Sequence, residues 1–308
     1  MSAALAQLRS APPVAGVWQR ARPYVALTKP RIVELLLVTT VPAMFLAARG
    51  WPGGWLLLAT LVGGTLTAGA ANTFNMVWDR DIDGLMGRTR SRPLPAGAVS
   101  PARALVFGAV LAVAGPTWLW VLVGPLPAVL TTAGMVFYVL VYTVWLKRRT
   151  VHNIVIGGAA GAVPALVGWA AVTGSLSPAA WLLFAVVFLW TPPHFWALAV
   201  VCERDYAAAT VPMLPVVAGR PETARRSLRY AVATVVASLA LPLVDPAVGW
   251  LYLVAASCLG ALFLGRAAGF RADPTPRTAR PLFTFSITYL GALSLALVLD
   301  QALPPAGV

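Results

Sequence analysis

Asn72-Thr-Phe-Asn75-Met-Val-Trp-Asp79-Arg-Asp-Ile-Asp83-Gly84 closes the second of nine long apolar runs in this 308-residue chain. The run before it, 55–78, is long enough to cross about 30 Å of hydrocarbon as a helix. It then continues without a break into a stretch that holds three of the ten carboxylates in the whole sequence. A membrane helix that ends in acids fixes the class of the molecule and one pole of it.

Working outward, the remaining apolar runs fall at 32–49, 102–123, 126–146, 153–173, 178–202, 228–247, 249–269 and 281–300. Hydrophobic residues make up 59% of the chain and charged residues 11%, against about 25% charged in soluble domains. The expected fold is all-α: a polytopic bundle of nine transmembrane helices.

The net charge of +13 would suit a nucleic-acid binder, but its placement gives another reading. With the N-terminus cytoplasmic, 22 of the 23 Lys and Arg residues fall on the cytoplasmic side and only Arg49 falls outside, as the positive-inside rule requires. The C-terminus is then extracytoplasmic. The basic excess reports topology and affinity for anionic lipid, so no nucleic-acid partner is expected. Residues 1–28 form a basic cytoplasmic tail, 29–302 one membrane domain and 303–308 a short C-terminal tail. The first 28 residues lack the 7–15-residue apolar core of a cleaved signal. A bacterial plasma membrane is the expected location, ahead of the mitochondrial inner membrane.

The longest segments between spans, about 79–101 and 203–227, both lie on the cytoplasmic side. They repeat a pattern: Asp79…Asp83…Arg92-Pro-Leu-Pro95 in one, and Glu203-Arg-Asp205-Tyr206…Pro212-Met-Leu-Pro215 in the other. Two half-sites facing each other across a bundle are the simplest geometry for this pair.

Asn75, Asp79 and Asp83 stand at i, i+4 and i+8, so on a helix they drift only about 40° per step and rise about 6 Å. They form one polar stripe, with Asp81 pointing elsewhere. Gly84 is expected to end the helix in the left-handed conformation. Two carboxylates one turn apart with an amide behind them suit Mg²⁺, which takes one or two carboxylates plus substrate phosphates and keeps water. Arg88 and Arg92 just beyond, and Lys147 and Arg148 after the fourth span, can grip phosphate oxygens. The start of an EF-hand loop, Asp79-x-Asp81-x-Asp83-Gly84, fails at its twelfth position, where Glu is needed and Arg90 stands.

Other polar groups carry two readings each. Tyr142 is either an interfacial anchor or part of the site. His194, in Trp190-Thr-Pro-Pro-His194-Phe-Trp196, sits in a helix that two prolines should break, and serves as a ligand or as a structural histidine. Glu34 is expected to pair with Lys29 and Arg31. Asp245 and Asp300 read as ordinary loop acids on the far side, and Cys202 and Cys258 as small core residues.

Taken together, Asn75-xxx-Asp79-xxx-Asp83, Lys29-Pro-Arg31, Met86-Gly-Arg88-Thr-Arg-Ser-Arg92-Pro-Leu94, Tyr142-Thr-Val-Trp-Leu-Lys147-Arg148, Asn153-Ile-Val-Ile-Gly157-Gly158, Trp190-Thr-Pro-Pro-His194 and Asp205-Tyr206 resemble the UbiA-type intramembrane prenyltransferases. Within that family they are most similar to the branch that farnesylates heme. The likeness runs from about 28 to 300. It implies Mg²⁺, farnesyl diphosphate and heme B, with heme A synthase or oxidase assembly factors as partners. By this resemblance Asp79 and Asp83, with Asn75, are catalytic and bind the metal diphosphate, and Asp205 serves a second metal. Arg88, Arg92, Lys147, Arg148, Tyr142, His194, Lys29 and Arg31 then bind substrate. Many relatives place a second aspartate four after the position of Asp205; here that residue is Ala209. A quinone-precursor acceptor in place of heme, and a transporter with a polar intramembrane site, are the alternative readings.

Overall fold

The computed structural model describes residues 16–303. The expectations for residues 1–15 and 304–308, among them Arg9 and most of both tails, lie outside the described residues. The described residues are helical throughout and hold nine helices long and apolar enough to span a membrane. A short helix α1 (Val17–Leu27) comes first. The spans are α2 (Pro30–Ala48), α3 (Gly54–Asp83), α4 (Pro101–Leu122) and α5 (Pro125–Val136) with a continuation to Leu146. After these come α6 (Asn153–Thr173), α7 (Pro178–Val201), α9 (Leu214–Val244), α10 (Trp250–Ala272) and α11 (Pro276–Ala302); α8 (Glu203–Ala208) lies between α7 and α9.

Proline at the first turn starts α2, α4, α5, α7 and α11, where its missing N–H costs nothing and its fixed φ fits the helix. Ser100 and Ser177 add N-caps, accepting from the backbone N–H of Arg103 and Ala180. The spans close a ring in chain order, α11 returning to α2, while α2 also packs on α6 and α7 on α11 through the middle. Close approach depends on small residues, the rule for helices in lipid. A Cβ at Gly168 would stand 2.3 Å from the Thr40 carbonyl oxygen, so α6 reaches α2 only because that position is glycine. Leu166, Trp169, Val186, Trp190, Phe263 and Tyr289 fill the apolar centre.

Alternation of the spans puts the ends of α3, α5, α7 and α10 on one face, together with the starts of α2, α4, α6, α9 and α11. Apart from His194, which lies within α7 seven residues before its end, the acids and bases singled out for chemistry are on that face.

Several expectations need correction. The seventh span begins at Leu214 rather than 228: residues 214–227 are helical but carry Arg220, Arg225 and Arg226, which hide them from a hydropathy window. The left-handed Gly219 (φ 78°) kinks α9 near its start. Gly84 ends α3 in the ordinary right-handed region (φ −67°), because the chain continues in further turns held by Thr89 instead of reversing. Pro192 and Pro193 do not break α7, which is helical from Pro178 to Val201. No ion pair joins Glu34 to Lys29 or Arg31; Glu34 and Arg31 are both exposed.

The far face is tied by Arg49 to Asp245, and by Asp300 accepting from the backbone N–H of Gly249 (2.7 Å) and Tyr252 (3.2 Å). These acids, expected to be plain loop charges, join α2 to α9 and α11 to α10.

Candidate active site

The last three turns of α3 form the predicted stripe, and it is buried: Asn75 is 3% exposed, Asp79 0% and Asp83 2%. Asp81, between them, points outward, with its side chain 59% exposed. Burying two carboxylates is costly unless charge is supplied nearby. Here it comes from three other segments.

Asn75 is held by all its polar atoms. Its Oδ1 accepts from Lys29 Nζ (2.6 Å), and its Nδ2 donates to Asp79 Oδ2 (2.8 Å) and to Thr143 Oγ1 (3.0 Å). Asp79 Oδ2 also accepts from Lys147 Nζ (2.5 Å), and Arg148 Nη2 stands 3.6 Å from Asp79 Oδ1. That last contact is too long for a hydrogen bond, so Asp79 Oδ1 is buried with its lone pairs unused. Both oxygens of Asp83 accept from Arg92 Nη1 (2.8 and 2.7 Å). Thr89 Oγ1 donates to the Asp83 carbonyl (2.8 Å), which folds the loop carrying Arg92 back over the stripe.

Lys29 reaches Asn75 from a strained backbone. It precedes a proline and takes φ 52°, ψ 66°, a left-handed conformation costing about 1–2 kcal/mol for a residue with a Cβ. Burial, reinforced by Arg92 and Lys147, holds its ammonium pKa well below the usual lysine value.

The π-helix Phe137–Leu146 prolongs α5. Its wide turn ends in the bond from Lys147 N–H to the Tyr142 carbonyl (2.8 Å), and such segments gather at functional sites. The sequence gives no sign of it. Tyr142 lies over Gly157 of α6 so closely that a Cβ there would stand 2.3 Å from Tyr142 Cδ2. Thr143, wholly buried, is a site residue that sequence reasoning missed, since a threonine in an apolar run carries no charge signal. Arg148, besides nearing Asp79, makes a two-pronged contact with both oxygens of Asp81 (2.6 and 2.7 Å).

The second loop comes to the first as the repeat suggested. The Asp205 carboxylate lies beside Gly87, with its oxygens 3.8 and 3.9 Å from where a Cβ would stand. Tyr206, Val211 and Met213 pack with Ile82 and Met86. Arg88, next to Gly87, is exposed at this junction. Glu203 is engaged elsewhere, by Arg220 Nε (2.6 Å). Cys202 is only half-buried at the edge of this cluster, its thiol pKa raised by burial, and Cys258 in α10 is exposed, so neither is the small core residue expected of it.

Two predicted residues stay apart from the stripe. Arg31 makes no ion pair among the described residues. His194 stacks on Trp190 (ring centroids 4.3 Å) and its Nδ1 shares a hydrogen bond with Ser286 Oγ (2.7 Å), between α7 and α11.

Among the described residues no three His, Cys, Asp or Glu side chains gather as a ready metal cage. The donors fit a hard cation all the same. Two carboxylates one turn apart, one of them with an idle buried oxygen, leave most positions to water and phosphate, which is how Mg²⁺ binds in phosphoryl sites.

The sequence profile of the UbiA prenyltransferase family matches residues 36–290. A protein named protoheme IX farnesyltransferase from Trichormus variabilis is 52% identical over 279 residues, 90% of this chain and 88% of its own length. One of the same name from Deinococcus radiodurans is 49% identical over 295 residues, 91% and 93% of the two chains. Among solved structures, digeranylgeranylglyceryl phosphate synthase superposes with a TM-score of 0.74 at 19% identity, over 92% of this chain and 99% of its own. A UbiA homolog from Archaeoglobus fulgidus bound to DMAPP and Mg²⁺ gives a TM-score of 0.63 at 16% identity, over 89% and 98%. The profile covers most of the membrane bundle, stripe included, and the chain belongs to the UbiA prenyltransferase family.

Proposed function

We propose that this protein transfers the farnesyl group of farnesyl diphosphate to a vinyl group of heme B, giving heme O and diphosphate, in the plasma membrane of a bacterium. The observation that carries this reading is the buried Asn75–Asp79–Asp83 stripe ringed by Lys29, Arg92, Lys147 and Arg148. Identity near 50% to protoheme IX farnesyltransferases over about nine-tenths of the chain supports heme as the acceptor.

Residues 29–302 act as one domain, with the stripe's face cytoplasmic and the C-terminus on the other side, as the basic residues indicate. Asp79 and Asp83 would hold Mg²⁺, with Asn75 orienting Asp79, and Asp205, beside Gly87, would serve a second ion; with Ala209 four residues on, that loop offers no second carboxylate pair. Bound Mg²⁺ would neutralise diphosphate and ease departure of the allylic oxygen. Lys147, Arg148 and Arg92 do the same from the protein side. Each now pairs with a carboxylate, and each is free to turn to phosphate oxygens once the acids have another partner. Arg88, Lys29 and Arg31 add positive charge for diphosphate or heme propionates. Tyr142, packed against Gly157, and the apolar wall of Ile154, Met86 and Tyr206 keep water from the allylic cation. The vinyl carbon attacks that cation as the C–O bond breaks and diphosphate departs, and one water then adds to the carbon left positive and gives up a proton, its oxygen ending as the hydroxyl of the product. His194 is read here as fixing α7 against α11 through Ser286 rather than as a group that touches the reaction.

Incubation of the purified protein with heme B, farnesyl diphosphate and Mg²⁺ should give a porphyrin heavier by one farnesyl group plus one hydroxyl group. Prenylation of an aromatic acid with heme unchanged would replace this reading with a quinone-precursor transferase.

A further inference from the structure

On the same face, but on the outer wall of the bundle, α10 and α11 form an open, shallow groove of about 460 Å³ lined by Arg266, Arg277, Arg280, Pro281, Thr284 and Phe285. All three arginines are exposed, and none has an ion-pair partner among the described residues. The nearest carboxylate in sequence, Asp273, instead accepts from Thr275 Oγ1 (3.1 Å). Arg266 stands six residues before the end of α10 and Arg280 four after the start of α11, about 6–9 Å from the ends of their helices and at the edges of the apolar runs 249–269 and 281–300. An unpaired guanidinium at such an edge is costly unless it meets a head group or water.

The groove points to lipid rather than to the reaction. Phe283 and Ser286 of α11 turn inward to His194, whereas Arg277, Pro281 and Thr284 recur at helical spacing on the outward side. Its charged end has an apolar floor: Arg266 Cζ lies 5.8 Å from the centre of the Phe285 ring, which leaves the guanidinium edge free. The start of α11 adds the positive end of a helix to the same place.

We propose that this groove binds the phosphate of an anionic phospholipid from the leaflet on the site's face, held by Arg266, Arg277 and Arg280, with an acyl chain along Pro281 and Phe285. A free anion would need only the arginines; the apolar wall and the position at the lipid boundary select an amphiphile.

Native mass spectrometry of the full-length protein, offered phosphatidylglycerol and phosphatidylcholine in equal amounts, tests this. The wild type should retain phosphatidylglycerol preferentially, with affinity falling about fivefold for each arginine removed in Arg266→Gln and in Arg277→Gln/Arg280→Gln. Millimolar inorganic phosphate should not displace the lipid. Thermal melting in detergent checks that each variant is folded; Arg266→Gln, away from the helix start, keeps the test usable if the double variant is not. Equal retention of the two lipids, equal retention by wild type and Arg266→Gln, or complete displacement by phosphate would each overturn the proposal.

Discussion

Lys147 Nζ and Asp79 Oδ2 are 2.5 Å apart, with Asp79 wholly buried and Lys147 17% exposed. One turn deeper, Thr143 and Asn75 make the same kind of cross-link at the same separation of 68 residues. The parallel helices α3 and α5 are therefore joined by two rungs in register. One rung carries charge and the other is neutral.

The charged rung predicts a stability effect. Lys147→Met leaves the Asp79 carboxylate buried without its main partner, which should cost about 3–5 kcal/mol. Lys147→Met/Asp79→Asn should recover most of that loss without recovering activity. Denaturant or thermal unfolding in detergent measures both; a single variant as stable as wild type would show that the pair is unimportant to the fold.

The neutral rung predicts a change in catalysis with little change in fold. Thr143→Val removes one of Asn75's partners and should reduce metal-dependent activity about tenfold, as loss of outer-shell ligand support does. Thr143→Ser keeps the hydroxyl and should stay close to wild type. Equal activity in all three proteins would remove Thr143 from the site.

Lys29 predicts a pH effect. Its ammonium is charged below its pKa, and burial, with Arg92 and Lys147 nearby, lowers that pKa well below the usual value. The cation bound to Asn75 is thus lost as pH rises through the lowered pKa, and activity should fall on the alkaline side earlier than an ordinary lysine allows. Lys29→Arg, always charged, should move that limb upward. Superimposable alkaline limbs in the two pH–rate profiles would contradict this.

Gly157 predicts a packing effect. In Gly157→Ala the new methyl would fall on the Tyr142 ring, and the ring, packed among its neighbours, cannot simply swing aside. A loss of about 1–3 kcal/mol and a matching fall in activity are expected; Gly161→Ala, which meets open space, serves as the control. No difference between the two variants would mean that Tyr142 is not held by this contact.

Much of this was legible in the sequence. Apolar run length fixed nine spans, and the i, i+4, i+8 spacing of Asn75, Asp79 and Asp83 located a stripe that the structure buries. Arg92, Lys147 and Arg148 were legible because charge is scarce in such a chain, whereas Lys29 entered only through the likeness to the family. What escaped lacked that contrast. Residues 214–227 are helical yet too basic for a hydropathy window, and the π-helix at 137–146 leaves no periodic trace in an unbroken apolar run. Thr143 is a neutral residue whose importance comes from a neighbour 68 positions away. The ion pairs were legible only as ingredients: Arg92 and Lys147 were read as phosphate ligands, and the structure shows them pairing with the acids themselves.

The central claim is that the stripe, neutralised by its own cations, accepts a divalent ion together with diphosphate. Mn²⁺ titration followed by electron paramagnetic resonance tests it most directly, using Mn²⁺ as the probe with and without inorganic pyrophosphate. Wild type should bind Mn²⁺ weakly alone and at least about tenfold more tightly with pyrophosphate, and Asp79→Asn or Asp83→Asn should abolish the gain. Mn²⁺ binding that ignores pyrophosphate, or that survives both substitutions, would contradict the account.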